Sequence, residues 1–211
     1  MSLKLLGHPL SICTRRVLLV LAEKNVKFEF QTIDFLRGEH KESSYLESHP
    51  FGVIPLLEDG SFKLYESRAV GEYLATKYRD DGPQLLPPTE DVEKCALFRQ
   101  WASVEYSQFS PLAEQLLMQK MFNPMRGIPC DEPLALQIIK RLEEKLDVLD
   151  TILGQQPFMV GESFSLVDIF YMPMVDMLYQ AGQRQLFEDR SNLKVWWGKV
   201  STRASWKKIS A

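Results

Sequence analysis

The sequence lacks several features that would assign it at once to a broad class. It has only 3 cysteines, Cys13, Cys95 and Cys130, and none has the close partner of a zinc knuckle or redox-active pair. Such a scattered, odd set gives no disulfide framework, so the expected compartment is the reducing cytosol. No uninterrupted apolar run approaches the roughly 20 residues of a membrane span. Residues 1–7 do not have the pattern of a signal peptide.

The chain also lacks a large excess of charge of either sign. Its 211 residues include 25 Lys or Arg and 28 Asp or Glu, a formal net charge of −3. Nucleic-acid-binding domains concentrate basic residues on one face to meet the phosphates, so this class is disfavoured. With 45% hydrophobic residues the composition is globular and allows one or two domains. We therefore expect neither a nucleic-acid partner nor a membrane association.

Two hydrophobic periodicities alternate in the first third of the chain. A short apolar strand at 4–6 ends before Pro9, which cannot donate to a strand ladder. From Thr14 the apolar residues fall on one helical face, and 28–33 then alternates apolar and polar side chains. A strand, a helix and a second strand predict a βαβ unit with parallel strands and a right-handed crossover.

A hairpin and a helix are predicted next. Two strands, at 53–58 and 61–64, flank the dipeptide Asp59-Gly60, which is a strong signal for a two-residue hairpin loop. Ser67 is placed to cap the helix that follows. The order β-α-β and then β-β-α is that of thioredoxin-like folds, in which helices cover both faces of a mixed sheet.

The second part of the chain shows only helical periodicity. We predict an α/β thioredoxin-like domain at 1–79, a linker at 80–90 rich in Pro, Gly and Asp, and an all-helical bundle at 91–211. Within the bundle, Ser165 and Asp168 have the spacing of a capping box, which we interpret as structural. The helical stretches are 91–121, 132–153, 165–181 and 192–201.

Four short strings, together with this domain order, resemble the cytosolic glutathione transferases, and in particular the phi class of plants and fungi. The strings are GHPLSICTRRV at 7–17, GEHK at 38–41, PFGVIP at 50–55 and LYESRA at 64–69. The resemblance covers nearly the whole chain. It implies conjugation of glutathione to small hydrophobic electrophiles and, as a second activity, reduction of organic hydroperoxides. It also implies a homodimer that needs no metal and no cofactor other than glutathione as co-substrate.

Ser11 lies between the first strand and the first helix, near the positive end of the helix dipole. An isolated serine at this position is a helix cap. The resemblance implies that its hydroxyl also donates a hydrogen bond to the glutathione sulfur and so favours the thiolate. One charge-assisted hydrogen bond and a helix N-terminus can lower a thiol pKa of about 8.5 by about 1–2 units. No tyrosine precedes Tyr45, so no tyrosine lies at the end of the first strand to donate this hydrogen bond to the sulfur.

The resemblance assigns the two ends of the tripeptide to separate segments. His40 and Lys41 are adjacent cationic donors on a polar loop and are implied to bind the glycyl carboxylate. Glu66 is implied to bind the γ-glutamyl ammonium, and Ser67 with the free N–H groups of its helix start is implied to bind the γ-glutamyl carboxylate.

The middle of the tripeptide is implied to pair with the backbone of Ile54. A cis bond before Pro55 would expose the N–H and C=O of Ile54 to an extended peptide. Only about 5–6% of X-Pro bonds are cis, so the sequence leaves a strand-opening proline open. The phi class usually has glutamine where this chain has Val53, so glutathione binding should be weaker by roughly 0.5–1.5 kcal/mol. The predicted glutathione-binding residues are Ser11, Ile12, His40, Lys41, Val53, Ile54, Pro55, Glu66 and Ser67.

An apolar cleft above the glutathione sulfur is expected to take the second substrate. Two other functions stay open: a non-catalytic carrier of hydrophobic ligands, and a thiol oxidoreductase that uses Cys13. Arg15 and Arg16 near a helix N-terminus would favour a reactive Cys13 thiolate, but a small buried apolar residue is the preferred interpretation. The candidate cleft residues are Ile12, Phe35, Met118 and Phe122.

Overall fold

The structure is a computed structural model that describes residues 3–210, and its chain divides into two compact units. Met1–Leu86 and Ala204–Ala211 form the first unit, and Pro87–Arg203 form the second. Both units contain helices, whereas the sheet belongs to the first. Among residues 3–210, no helix has both the length and the apolar character needed to cross a membrane.

Four strands form one mixed sheet with the spatial order β2-β1-β3-β4. The first strand runs parallel to the second and antiparallel to the third, and the fourth is antiparallel to the third. The predicted parallel βαβ pair and mixed sheet are therefore confirmed. The strands are β1 (Leu3–Gly7), β2 (Glu29–Thr32), β3 (Leu56–Asp59) and β4 (Phe62–Tyr65).

Helices occupy every stretch for which helical periodicity was predicted, and a short 3₁₀ turn lies at Glu39–Lys41. The helices at 123–125, 185–188 and 204–210 lie outside those stretches. In chain order they are α1 (Ile12–Glu23), α2 (Ser43–Leu46), α3 (Ser67–Lys77), α4 (Val92–Val104), α5 (Ser110–Leu117), α6 (Asn123–Met125), α7 (Glu132–Leu153), α8 (Leu166–Gln180), α9 (Gln185–Glu188), α10 (Ser191–Ser201) and α11 (Ala204–Ser210).

Adjacent residues of β1 point to opposite faces of the sheet and so supply two separate cores. Leu5 pairs with Leu57, and both are fully buried on one face. Leu6 points to the other face, where it packs in a buried cluster with residues from the β2 end, α2 and β3. The members of that cluster are Leu6, Ile33, Tyr45 and Leu56, with Ile54 and Tyr65 packed against it.

The hairpin and the start of α3 each differ from the prediction by one residue. Asp59 pairs with Phe62, so the two loop residues are Gly60 and Ser61 rather than Asp59 and Gly60. Gly60 has φ +64°, a conformation that glycine adopts without steric cost.

The expectation that Ser67 caps α3 is wrong. Glu66 occupies the cap position, because its carbonyl already accepts the hydrogen bond from Val70 N–H at 2.9 Å. Ser67 is instead the first residue of the helix and is buried.

The first unit includes two segments that the predicted boundaries 1–79, 80–90 and 91–211 placed outside the first domain. These segments are 80–86 and the C-terminal segment from Ala204. Part of the linker is fixed by the buried Lys24 of α1, whose ammonium donates to the carbonyls of Arg79 (3.3 Å) and Pro83 (2.7 Å). Burial lowers the pKa of Lys24. The intervening Gly82 has φ +63° and lies against the backbone of Glu23.

The last helix also belongs to the first unit, because α11 packs on α1. The guanidinium of Arg15 lies 4.8 Å from the centre of the Trp206 ring, and Ser205 donates to the Glu23 carboxylate. Since Trp206 is buried in these contacts, the segment groups with α1 rather than with the helices that precede it.

In the second unit, the predicted helix 91–121 is longer and less regular than expected. The helical run continues from Val92 to Met125 and contains two π-helical turns, at Glu105–Phe109 and Met118–Phe122. Pro124 lies in the last short helix, α6, and the run ends one residue after it.

The predicted capping box of α8 is confirmed and forms the polar centre of the second unit. The buried Asp168 carboxylate accepts from the backbone N–H groups of Met159 (3.0 Å) and Ser165 (2.8 Å). It also accepts from the Ser165 hydroxyl (3.0 Å) and from the indole N–H of Trp196 (2.9 Å). Burial raises the pKa of Asp168, and these donors oppose the rise.

Candidate functional site

The strand register places all the predicted glutathione-binding segments at one edge of the sheet. Leu6, near the end of β1, pairs with Leu56 at the start of β3, which in turn pairs with Tyr65 at the end of β4. The end of β2 lies beside the end of β1. The residues that follow β1, precede β3 and follow β4 therefore meet at this edge, and these are the positions of Ser11, Ile54 and Glu66.

Ser11 occupies the N-cap of α1, half-buried and in an extended conformation (φ −75°, ψ 125°). Its hydroxyl oxygen accepts from the backbone N–H of Thr14 at 3.3 Å, and its own N–H donates to the carbonyl of His8 at 2.9 Å. The cap uses Oγ as an acceptor, and within residues 3–210 the hydroxyl hydrogen meets no acceptor. The side chain can therefore donate to an anion beside the positive end of the helix dipole.

Apolar side chains flank the segment from His8 to Ile12, which contains Ser11. The ring of Phe35, 37% exposed, meets the His8 imidazole edge to face at 5.0 Å. Ile12 is half-buried as the first residue of α1. Cys13 is half-buried too, and its sulfur accepts from the Arg16 guanidinium at 3.5 Å.

The 3₁₀ turn carries the two basic candidates. Lys41 is exposed, and its ammonium donates to the carbonyl of Phe51 at 3.3 Å. His40 is half-buried, and its Nδ1 is buried with no hydrogen-bond partner among the residues that the structure describes. A Cβ at Gly52, where φ is +55°, would lie 2.8 Å from the carbonyl oxygen of His40. Glycine is therefore what lets the 50–53 loop approach this turn.

The Ile54–Pro55 bond, whose isomer the sequence left open, is cis. Across residues 3–210, the N–H and C=O of Ile54 make no backbone hydrogen bond. Val53 is 45% exposed, and its carbonyl accepts from the Tyr45 hydroxyl at 2.7 Å. Burial raises the pKa of Tyr45, so this hydroxyl stays protonated as a donor. The unpaired N–H and C=O of Ile54 can pair with an extended peptide.

Glu66 follows β4 with φ +68°, a left-handed conformation that is uncommon for a residue with a side chain. Its side chain is exposed, whereas Ser67 is buried at the head of α3. The carboxylate can bind a cation, and the first N–H groups of α3 can bind an anion.

Two of the four residues predicted for the second substrate lie in the second unit. Met118, 39% exposed, begins the second π-helical turn, and the half-buried Phe122 ends it. Among the described residues, no group of three His, Cys, Asp or Glu side chains could hold a metal ion.

A cavity of about 340 Å³ lies in the first unit beside β2. Its lining contains none of the predicted glutathione-binding residues, and it is open to solvent over much of its surface. The lining residues are Leu6, Gln31, Thr32, Ile33, Glu39, Glu42, Ser44 and Tyr45.

The sequence analysis missed His49, which is fully buried directly beneath the candidate site. Its ring stacks on Tyr65 at 4.3 Å with an interplanar angle of 18°. The available signal was a histidine immediately before the PFGVIP string, in a chain with 3 histidines. The burial of its ring is a tertiary property, so this signal alone did not distinguish it from a loop residue.

The order of elements and the site geometry define a class, and comparison with known proteins gives the same one. Residues 1–76 match the family "Glutathione S-transferase, N-terminal domain", and residues 110–204 match "Glutathione S-transferase, C-terminal domain". The chain belongs to the glutathione S-transferase family.

Its relatives confirm the resemblance to the phi class. Glutathione S-transferase F10 of Arabidopsis thaliana is 37% identical over 96% of this chain and 94% of its own. The crystal structure of glutathione transferase F7 from Populus trichocarpa has a TM-score of 0.94 at 33% identity, covering 99% of this chain and 98% of its own. Glutathione S-transferase I from maize, in complex with an atrazine glutathione conjugate, has a TM-score of 0.92 at 28% identity, covering 100% and 97%.

Proposed function

We propose that this protein joins glutathione through its sulfur to electrophilic hydrophobic compounds, with Ser11 stabilising the thiolate. The observation that carries the proposal is the hydrogen bonding of Ser11. Its oxygen accepts from Thr14 N–H, which leaves the hydroxyl hydrogen to donate to a sulfur beside the N-terminus of α1. Favouring the thiolate over the thiol raises the fraction of nucleophile at neutral pH.

Glutathione binds along the sheet edge in this proposal. Its glycyl carboxylate meets Lys41 and His40, and its cysteinyl residue pairs with the N–H and C=O of Ile54. Its γ-glutamyl end meets Glu66 and the first turn of α3. The remaining residues of the set line the bound tripeptide, and they are Ile12, Val53 and Pro55. The geometry that supports this set is the exposed Lys41, the unpaired backbone of Ile54 and the exposed Glu66.

The reaction is a displacement or an addition at carbon. The thiolate donates an electron pair to the electrophilic carbon and a C–S bond forms. In a displacement the leaving group departs with the electrons of its bond, and in an addition the electrons of the broken π bond take up a proton. With an organic hydroperoxide, the thiolate instead takes the outer oxygen and releases an alcohol. A second glutathione then gives the disulfide and water. The sulfur is the nucleophile, so we propose that positioning and electrostatics suffice without a metal or bound cofactor.

Ile12 and Phe35 are proposed to contact the apolar part of the electrophile, because Ile12 directly follows Ser11 and the Phe35 ring packs on His8, three residues before Ser11. Met118 and Phe122 stay predictions from the sequence. The atrazine glutathione conjugate bound by the maize relative supports an aromatic, largely apolar electrophile as the substrate class.

We also propose a homodimer in the cytosol. Family membership supports the dimer, and light scattering of the purified chain tests it. The three cysteines are all unpaired, which fits a reducing compartment.

The function is tested by incubating the protein with glutathione and an activated aryl chloride such as 1-chloro-2,4-dinitrobenzene. We expect enzyme-dependent release of chloride and a thioether product whose mass is that of both substrates less hydrogen chloride. Cumene hydroperoxide in parallel tests the second activity. Glutathione binding without turnover of several electrophiles would overturn the proposal in favour of the non-catalytic carrier. Activity that needs Cys13 and gives a glutathione adduct on it would favour the oxidoreductase.

A further inference from the structure

His49 lies at the end of α2, and side chains from three segments surround its ring. The ring stacks on Tyr65 of β4 at 4.3 Å and faces Tyr45 of α2 at 6.0 Å. It meets the ring of Phe51 edge to face at 6.5 Å. The residue is fully buried, and neither ring nitrogen makes a hydrogen bond to another residue within 3–210. A buried imidazole without partners is unusual, because buried polar groups are generally hydrogen-bonded.

Each aromatic neighbour of His49 holds part of the proposed glutathione site. Tyr65 immediately precedes Glu66. The carbonyl of Phe51 accepts from the Lys41 ammonium at 3.3 Å, and the Tyr45 hydroxyl donates to the Val53 carbonyl at 2.7 Å. The ring thus supports the segments assigned to both ends of the tripeptide and to its middle.

The backbone of His49 adds to this role. Its N–H donates to the carbonyl of Tyr45 at 2.9 Å, and its carbonyl accepts from the N–H of Gly52 at 2.8 Å. These bonds end α2 and start the turn that carries Phe51 and Val53. A displacement of the His49 ring would therefore also displace the loop that precedes Ile54.

We propose that His49 is a positioning residue of the glutathione site, which keeps its binding geometry only while the His49 ring is neutral. This inference rests on the proposed function. A neutral imidazole packs in the aromatic stack as a flat ring with one unpaired N–H. Protonation adds a second N–H and a charge inside the aromatic stack, where neither ring nitrogen hydrogen-bonds to another described residue. The ring must then leave the stack, and Tyr65 and Phe51 lose the surface on which they rest.

The charged groups around His49 act in opposite directions. Burial has the largest effect and lowers the pKa of His49, the Glu66 carboxylate and a backbone hydrogen bond of His49 itself raise it, and the Lys41 ammonium lowers it. The tyrosines of α2 and β4 that pack on the ring, Tyr45 and Tyr65, are the other titratable groups that face it. Since burial is the largest effect, the ring is neutral near pH 7 and gains its proton below its ordinary range of about 6.5.

Glutathione binding and protonation of His49 are coupled in this inference. The sign of that coupling distinguishes the inference from a direct electrostatic effect of the ligand charge on the ring. If glutathione needs the neutral ring, glutathione must in turn lower the pKa of His49, because coupling between two sites is reciprocal. A ligand with a net negative charge that acted only through its field would raise that pKa. The proposed effect therefore has the opposite sign.

The test measures the dissociation constant of S-methylglutathione, which has no ionisable thiol, between about pH 5 and pH 8. For the unmodified protein we expect a constant affinity near pH 7.5 and a loss of up to about tenfold per pH unit on the acid side. His49→Phe keeps the aromatic stack but cannot titrate, so the affinity of this variant for S-methylglutathione should no longer fall on the acid side. The matched control is His8→Phe, the same change at a half-buried histidine, which should keep the acid-side loss.

A second measurement keeps the inference testable if His49→Phe does not fold. The ring signals of the three histidines are followed by NMR in the unmodified protein, and His49 is assigned after His8→Phe and His40→Phe remove the other two. We expect the His49 midpoint to fall when S-methylglutathione is saturating. A rise, or an acid-side loss of affinity that persists in His49→Phe, would overturn the inference. If the unmodified protein binds no S-methylglutathione near pH 7.5, the proposed function itself fails.

Discussion

The hydroxyl oxygen of Ser11 accepts a hydrogen bond from the backbone N–H of Thr14 at 3.3 Å, so one side chain serves both the helix and the proposed chemistry. Ser11→Ala should remove both roles. We expect kcat/KM for conjugation near pH 7 to fall by about tenfold to a hundredfold, the equivalent of one charge-assisted hydrogen bond of about 1.5–3 kcal/mol. Binding of S-methylglutathione should change little. The free energy of unfolding should fall by about 0.5–2 kcal/mol through the lost cap.

The pH profile and a matched variant separate the two roles of Ser11. In Ser11→Ala the midpoint of the pH profile of kcat/KM should rise by about 1–2 pH units, toward the ordinary thiol pKa of about 8.5. Ser11→Asp keeps a good cap for Thr14 N–H but offers the sulfur a negative charge instead of a donor. It should therefore keep the stability of the unmodified protein and lose conjugation. An unshifted midpoint in Ser11→Ala would rule out thiolate stabilisation by this hydroxyl.

Lys41 tests how the glycyl end of the tripeptide is bound. Lys41→Met should weaken binding of glutathione by about tenfold to a hundredfold, because it removes a charged donor worth about 1.5–3 kcal/mol, and should leave kcat nearly unchanged. Calorimetric titration and steady-state kinetics check the two parts. The control is Lys27→Met, the same change at an exposed lysine after α1. Equal affinities of the two variants would show that Lys41 does not contact the ligand.

Local pattern was enough to predict the sheet and most helices, because alternation and helical spacing are set by which side chains must be buried. Leu5 and Leu6 are buried on opposite faces of the sheet, as a strand requires. The spacing of Ser165 and Asp168 likewise predicted a capping box. Boundaries were less exact: the residue that opens the hairpin loop is Gly60, because Asp59 is still paired with Phe62.

The features that sequence could not supply depend on contacts between distant segments. The isomer of Ile54–Pro55 was open because local preference favours trans. The place of α11 depends on Trp206 packing under Arg15, and the importance of His49 depends on Tyr65, which follows it by 16 positions in the chain. The roles of the glutathione-binding residues stay predictions, since resemblance and geometry support them and binding measurements must test them.

Gly82 fixes the chain that leaves α3 against the end of α1. It has φ +63°, and a Cβ there would lie 2.2 Å from the carbonyl oxygen of Glu23, a backbone atom that cannot move aside. Gly127 is a matched control, with φ +75° and no atom within 4 Å of its Cβ position. Both alanine variants should lose about 1–2 kcal/mol from the left-handed backbone. Gly82→Ala should lose about 1–3 kcal/mol more from the steric overlap.

Denaturant titration of the two glycine variants measures this difference directly. Because the conformational cost is common to both, the extra loss in Gly82→Ala reports the contact with Glu23 alone. The same midpoint for both variants would mean that the segment can move away from α1 freely. It would also contradict the anchoring of this segment by Lys24.

Asp168 should be the most sensitive polar position of the second unit, because four donors converge on its buried carboxylate. Asp168→Asn keeps the size of the side chain but turns an N–H₂ group toward at least one of those donors. We expect the free energy of unfolding to fall by about 2–4 kcal/mol, with an unchanged denaturant slope. Asp189→Asn, at an exposed aspartate before α10, should stay within about 0.5 kcal/mol of the unmodified protein. If both variants unfold at the same denaturant concentration, Trp196 and Met159 must find other acceptors, and the carboxylate would not be what joins α8 to α10.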